Sequence, residues 1–172
     1  RRFRPAPGAE FQYIEIGDVG GSGEAESTPV MGEEAPSRAT WIVKPGDVIT
    51  TTVRPIRRLS AVITDDQAGY VCSSGFAVLK PTAVEPELLL AYLRLPLVCE
   101  LLDLNTTASM YPAISTPDLM RIPVSLPDKP TRAKIVTKVK ESFAARREAR
   151  RLLEEANALV EMAILAPSGR KP

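Results

Sequence analysis

From Thr131 to Leu165 the sequence contains neither proline nor glycine, although the whole chain holds 16 prolines and 10 glycines. Alanine, leucine, arginine and glutamate dominate the run, and all four favour helix. The spacing predicts one helix of about 35 residues, about 50 Å long at 1.5 Å per residue. Val139, Ser142, Arg146, Ala149, Leu153, Ala156, Val160 and Ala163 recur at alternating steps of three and four, and Phe143, Leu152, Leu159 and Ile164 widen that stripe. A helix this long cannot cover such a seam by itself. It needs a partner helix, and the small residues let that partner come close. The candidate pairing residues are Val139, Phe143, Ala149, Leu153, Ala156 and Val160.

The preceding residues have a different texture. Residues 1–10, with two prolines and a glycine, read as an arm or linker, and 166–172 as a tail. Residues 11–19 alternate like a strand with both faces partly covered. Residues 20–39, rich in Gly, Ser, Glu and Pro, read as a long surface loop. Short strands follow at Trp41–Val43, Val48–Val53, Leu59–Ile63 and Tyr70–Leu79, the last interrupted at Ser73–Gly75. Pro45–Gly46 marks a turn before the second of these. Two helical pieces come next, Pro86–Leu95 and Leu97–Leu104, divided by Pro96. A polar loop over 105–118, a helical turn at Asp118–Arg121 and a last strand at Ile122–Leu126 complete the unit. The expected architecture is α+β: a β-rich unit over 11–130, then a single long helix over 131–165.

Much chemistry is absent from this sequence. With no histidine, it lacks the commonest general base and a Ser-His-Asp triad. Cys72 and Cys99 form no CxxC pair and read as two buried thiols, so no metal site is expected. GDVGGSG leads into a poor helix start and does not make a phosphate loop. The amino-methyltransferase motif Asn/Asp-Pro-Pro-Tyr/Phe is missing, and PDKPTRAK lacks the carboxylates of a metal-dependent nuclease. Neither a cofactor nor a membrane span is expected. The chain begins at Arg1 and not at methionine, which leaves room for a longer parent protein, including a methyltransferase fused upstream.

A net charge of +1 predicts no polyanion partner, so a nucleic-acid site must come from local clustering. In KPGDVITTTVRPIRRLSAVI, Arg54, Arg57 and Arg58 gather around Pro55 at the end of a strand. Arginine forks suit phosphates and guanine edges. Lys44, Thr51, Ser73, Ser74, Thr107, Ser109 and Tyr111 lie in neighbouring turns that offer further hydrogen bonds to phosphate. A plain exposed hairpin fits the composition equally well. RREARR (146–151) reads first as solvated arginines paired with Glu148, Glu154 and Glu155.

The order of segments resembles a known family. YIEIGDV, VKPGDVITTTV, YVCSSGFAVLKP, PELLLAYLRLP, NTTASMYPAISTPDLMRIPVSLP and a long charged helix follow one another. This looks like half of the specificity subunit of type I restriction–modification enzymes, a target recognition domain with its spacer helix. Two segments depart from the family's habit. TTASMYP stands where a Gly-Ser/Thr-rich step is common, and PDKPTR stands where PP-x-x-EQ often opens the helix.

The resemblance implies a non-catalytic, cytoplasmic module that reads half of a split site in double-stranded DNA. Its helix would pack against a matching helix, from a second recognition domain or a second copy. Its partners would be the methyltransferase and restriction subunits. The competing expectation is a protein-interaction module that dimerises through the helix and touches no DNA.

Overall fold

The computed structural model describes residues 1–107 and 110–165. Seven strands form two sheets. β1 (Glu10–Ile14), β2 (Thr28–Met31), β3 (Ala39–Ile42) and β6 (Val71–Ser73) make the first, in the order β2-β1-β6-β3. The β1–β6 pair is parallel and the other two are antiparallel. β4 (Val48–Thr51), β5 (Ser60–Val62) and β7 (Phe76–Leu79) make the second, antiparallel and in the order β5-β4-β7.

Strand alternation makes the second sheet a middle layer. Ile49, Ala61 and Phe76 face the first sheet, where they meet Ile14, Val43, Ile63 and Cys72. Their neighbours Val48 and Val62 face the other way, onto Leu90 and Leu93 of α1 (Pro86–Leu93) and Phe143 of the long helix. Ala77 meets Val98 and Leu102 of α2 (Pro96–Leu104), with Ile114 and Leu119 closing that end. Each of α1 and α2 starts with proline in its first turn, where the missing N–H costs nothing. Leu119 belongs to the short α3 (Thr116–Leu119), capped by the Ser115 hydroxyl, which accepts from the Asp118 N–H at 3.2 Å.

α4 runs from Lys129 to Leu165, 37 residues. Its first turns lie on the globular unit, where Lys140 pairs with Glu87 at 3.6 Å. Beyond Phe143 every residue as far as Leu165 is exposed.

Several expectations are corrected. Residues 20–39 are not one loop: Thr28–Met31 pairs with β1, and Pro29 is tolerated because β2 is an edge strand. Gly32 is packed so tightly that a Cβ there would collide with the Ala6 carbonyl. Residues 1–3 are not a free arm. The Phe3 N–H donates to the Thr40 carbonyl at 2.7 Å, the Ile42 N–H donates to the Arg1 carbonyl at 2.9 Å, and the Phe3 ring packs at a tilt against Phe11, with centroids 4.5 Å apart.

Ile122–Leu126 is not a strand. Among the described residues no strand pairs with it, Pro123 has no N–H to give, and Tyr92 Oη fastens the segment by donating to the Pro123 carbonyl at 2.6 Å. Strand β1 stops at Ile14, and Ile16–Asp18 is a 3-10 turn closed by the Asp18 carboxylate on the Glu15 N–H. Among the described residues no helix is long and apolar enough to cross a membrane.

Candidate nucleic-acid interface

Three loops meet at the C-terminal end of β4. The first is the β4–β5 connection, where Pro55–Arg57 forms one 3-10 turn. Arg54 precedes that turn at φ 50° and Arg58 follows it at φ 58°. Both are left-handed, a conformation that disfavours any side chain with a Cβ. Pro55 is buried and fixes its own φ, so the turn is held from its centre. The three arginine side chains all point to solvent, together with Ile56, which is 47% exposed.

The second loop is residues 105–115. Val53 bridges to Ala113, the Arg54 N–H donates to Pro112 at 2.8 Å, and the Ile114 N–H donates to Thr52 at 2.9 Å. Thr107 also bridges to Ala113, folding the loop back on itself. Tyr111, 70% exposed, therefore stands beside Arg54, with the guanidinium carbon 5.9 Å from the ring centre. That distance suits a cation–π contact.

The third loop is the β6–β7 hairpin tip, whose Gly75 carbonyl accepts from the Thr52 N–H at 2.9 Å and from the Thr52 hydroxyl at 3.0 Å. Ser74 is exposed there, and its N–H donates to Arg38 at 2.7 Å.

The sequence-predicted residues thus divide. Arg54, Arg57, Arg58, Ser74, Thr107 and Tyr111 belong to one exposed cluster. Thr51 does not: its side chain is buried, and its hydroxyl donates to the Val53 carbonyl at 2.8 Å. Ser73 is also buried, and its hydroxyl accepts from the Gly75 N–H at 3.2 Å. Both hold loops in shape and touch nothing outside. Lys44 is exposed but stands in the turn before β4, at the far end of that strand from the arginines. Ser109 lies outside the described residues, as does the 166–172 tail. Arg38 is the residue that sequence reasoning missed. It sits in a stretch that looked like featureless loop, and only the pairing of Ala39 with Ser73 brings it to the hairpin tip.

The predicted helix seam divides as well. Phe143 is buried against α1 and Val139 is half-buried there, so neither is free for a partner helix. Ala149, Leu153, Ala156 and Val160 are exposed, and Leu153 and Val160 are 63% and 57% exposed. In RREARR, Arg151 pairs with Glu148 at 2.7 Å and also with Glu155, while Arg150 crosses to Glu26 at 3.6 Å.

Among the described residues no cluster of metal-ligating side chains occurs. Cys72 and Cys99 are free and buried. Burial pushes the Cys72 thiol up to about 12, with the Asp47 charge adding to the shift. A thiol held so firmly protonated is inert as a nucleophile.

No protein-family profile matches the chain, and no curated protein matches it. Solved structures do. The HsdS subunit from Thermoanaerobacter tengcongensis superposes with a TM-score of 0.72 at 28% identity, over 99% of this chain and 48% of that one. A chain from work on complex assembly and conformational transition of the type I R-M system gives the same TM-score and coverage at 30% identity. The chain is a homologue of HsdS. Both HsdS neighbours are type I restriction–modification specificity subunits, and the likeness runs through the β-rich unit and the long helix alike. The chain spans about half the length of either HsdS relative.

Proposed function

We propose that this chain is a sequence-specific DNA-recognition module, half of a type I specificity subunit. It reads one part of a split site in duplex DNA and directs methyltransferase and restriction subunits there. The observation that carries this is the exposed cluster at the end of β4. Arg54, Arg57 and Arg58 from one loop stand with Tyr111 from a second and Ser74 from a third. Guanidiniums read guanine edges and phosphates, and an aromatic face beside them suits base contacts. The left-handed backbone at Arg54 and Arg58 supports the assignment, because strain of this kind persists where the surrounding structure fixes a functional geometry.

Catalysis belongs to the partner subunits, or to a domain fused upstream, and this chain works in the cytoplasm. The exposed seam of α4 pairs with a matching helix and sets the distance between two recognition domains.

Charge reversal at Arg54, Arg57 and Arg58 separates this function from a pure interaction module. Loss of duplex binding with assembly unchanged supports DNA recognition. Unchanged DNA behaviour supports dimerisation alone. The decisive cellular experiment exchanges residues 11–130 for an unrelated recognition domain and maps methylated sites. If the same sequence is methylated after the exchange, recognition does not reside here.

A further inference from the structure

Ile56 is the one exposed residue of the β4–β5 turn that carries no charge. Single exposed apolar side chains are ordinary on a protein surface, but this one is held firmly in place. Pro55 before it is buried, and Arg54 and Arg58 at the two ends of the turn lie in the left-handed region. The Arg57 N–H donates to the Arg54 carbonyl and the Arg58 N–H to the Pro55 carbonyl, each at 3.0 Å. A β-branched side chain on such a backbone has few rotamers left to lose.

The second loop adds to the same surface. The bond from the Arg54 N–H to the Pro112 carbonyl ties the two loops together, with Ile56 just beyond Arg54 and Met110 just before Pro112. Met110 is 78% exposed and Tyr111 70%. Around these apolar groups stand Arg54, Arg57 and Arg58, and among the described residues none of the three forms an ion pair. Uncompensated guanidiniums select a polyanion surface. On duplex DNA the major groove displays one apolar group, the 5-methyl of thymine, and the minor groove displays none.

We infer that Ile56 is a specificity-determining residue that reads the 5-methyl group of a thymine of the half-site, in the major groove. This rests on the DNA-recognition function proposed above, and it names a base of the site and the groove that the loop enters. Arg54 and Arg58 flank the contact and bond guanine edges or phosphates. A pyrimidine without the methyl leaves a gap against Ile56 and forfeits the contact. Met110 is unbranched and adaptable, so it discriminates less.

The test uses the full chain and duplexes carrying the half-site identified by methylation mapping. Each thymine is replaced in turn by deoxyuridine, which lacks only the 5-methyl group. Wild type should lose about fourfold in affinity at one position, the worth of one methyl group removed from water. Ile56→Val should keep that sensitivity. Ile56→Ala, an exposed change, should bind the thymine and deoxyuridine duplexes equally at that position. Its salt dependence should match wild type, because no charge is removed.

A wild-type chain indifferent to every deoxyuridine would overturn the inference, as would a half-site without an A·T pair. So would an Ile56→Ala variant that keeps the full sensitivity, since the methyl group then has another reader. An Ile56→Ala variant that binds every duplex as wild type does, while methylation by the assembled complex falls, would overturn it too. That result would give Ile56 to a protein partner, together with the exposed Leu97 and Leu104 of the adjoining α2. A wild-type chain that binds its half-site no better than random DNA would instead sink the recognition function itself, and this inference with it.

Discussion

Arg54 and Tyr111 are 57 positions apart in the chain, yet the guanidinium lies 5.9 Å from the ring centre. The backbone arranges this meeting, through the Arg54 N–H on Pro112 and the Val53–Ala113 bridge. The ring offers its negative face to a cation that would otherwise sample many rotamers. Tyr111→Phe keeps the face and should bind duplex as wild type does. Tyr111→Ala should weaken binding about two- to fivefold, the worth of an exposed cation–π contact. Arg54→Ala should cost more, about 1–3 kcal/mol, if the fork reads a guanine. Fluorescence anisotropy on one duplex at fixed salt gives all three values. Wild-type affinity in Tyr111→Ala would remove the pair from the interface.

Arg58 adopts φ 58° at an exposed position, where glycine would suffer no steric penalty. Arg58→Gly should therefore raise stability by about 0.5–1 kcal/mol, as relief of the left-handed strain outweighs glycine's extra chain entropy. On the proposed function the same change should also weaken duplex binding, because it removes one positive charge from the exposed arginine cluster. Thermal unfolding and anisotropy on one preparation measure both. A variant that is stabilised and still binds like wild type would show that the strain serves no ligand.

The folded Cys72 thiol sits at about 12, above the ordinary value of 9.0, chiefly through burial. Below pH 9 the folded and unfolded states both carry the proton. Between 9 and 12 the unfolded chain releases it and the folded chain does not, so stability falls as pH rises through that window. Relative to Cys72→Ala, wild type should lose about 1.4 kcal/mol per pH unit there. Urea unfolding between pH 8 and 11 tests this. Parallel losses in the two proteins would mean that the thiol stays neutral in neither state or in both.

The elements legible in the sequence were those with local signals. The proline- and glycine-free run announced α4, β-branched runs announced β4 and β5, and prolines marked the starts of α1 and α2. What stayed hidden depends on partners distant in the chain. β2 exists because β1 offers it an edge, and nothing in TPVM alone demands a strand. Conversely, Ile122–Leu126 has a strand's composition but, among the described residues, no strand to pair with. The interface divides in the same way. Its arginines were visible as a cluster around Pro55, whereas the burial of Thr51 and Ser73 follows from strand parity and loop closure. Arg38 could be found only once β3 had been laid beside β6.

The long helix has an inner part packed on the globular unit and an exposed outer part, and substitutions should separate their roles. Its inner part spends Phe143 and Val139 on the globular core, while Leu152, Leu153, Leu159, Val160, Met162 and Ile164 stay half or more exposed. An exposed apolar face of that size suits cover by a second helix. Equilibrium sedimentation of the full chain should show concentration-dependent dimers. Leu153→Glu with Val160→Glu should abolish them without changing the unfolding transition of the β-rich unit, because neither side chain touches it. Phe143→Ala should do the reverse, lowering stability by about 3 kcal/mol or more through loss of a buried aromatic ring while the distal seam still pairs. A chain that stays monomeric at high concentration would mean that the seam waits for a different helix. Dimers surviving the double glutamate variant would place the contact elsewhere on the molecule.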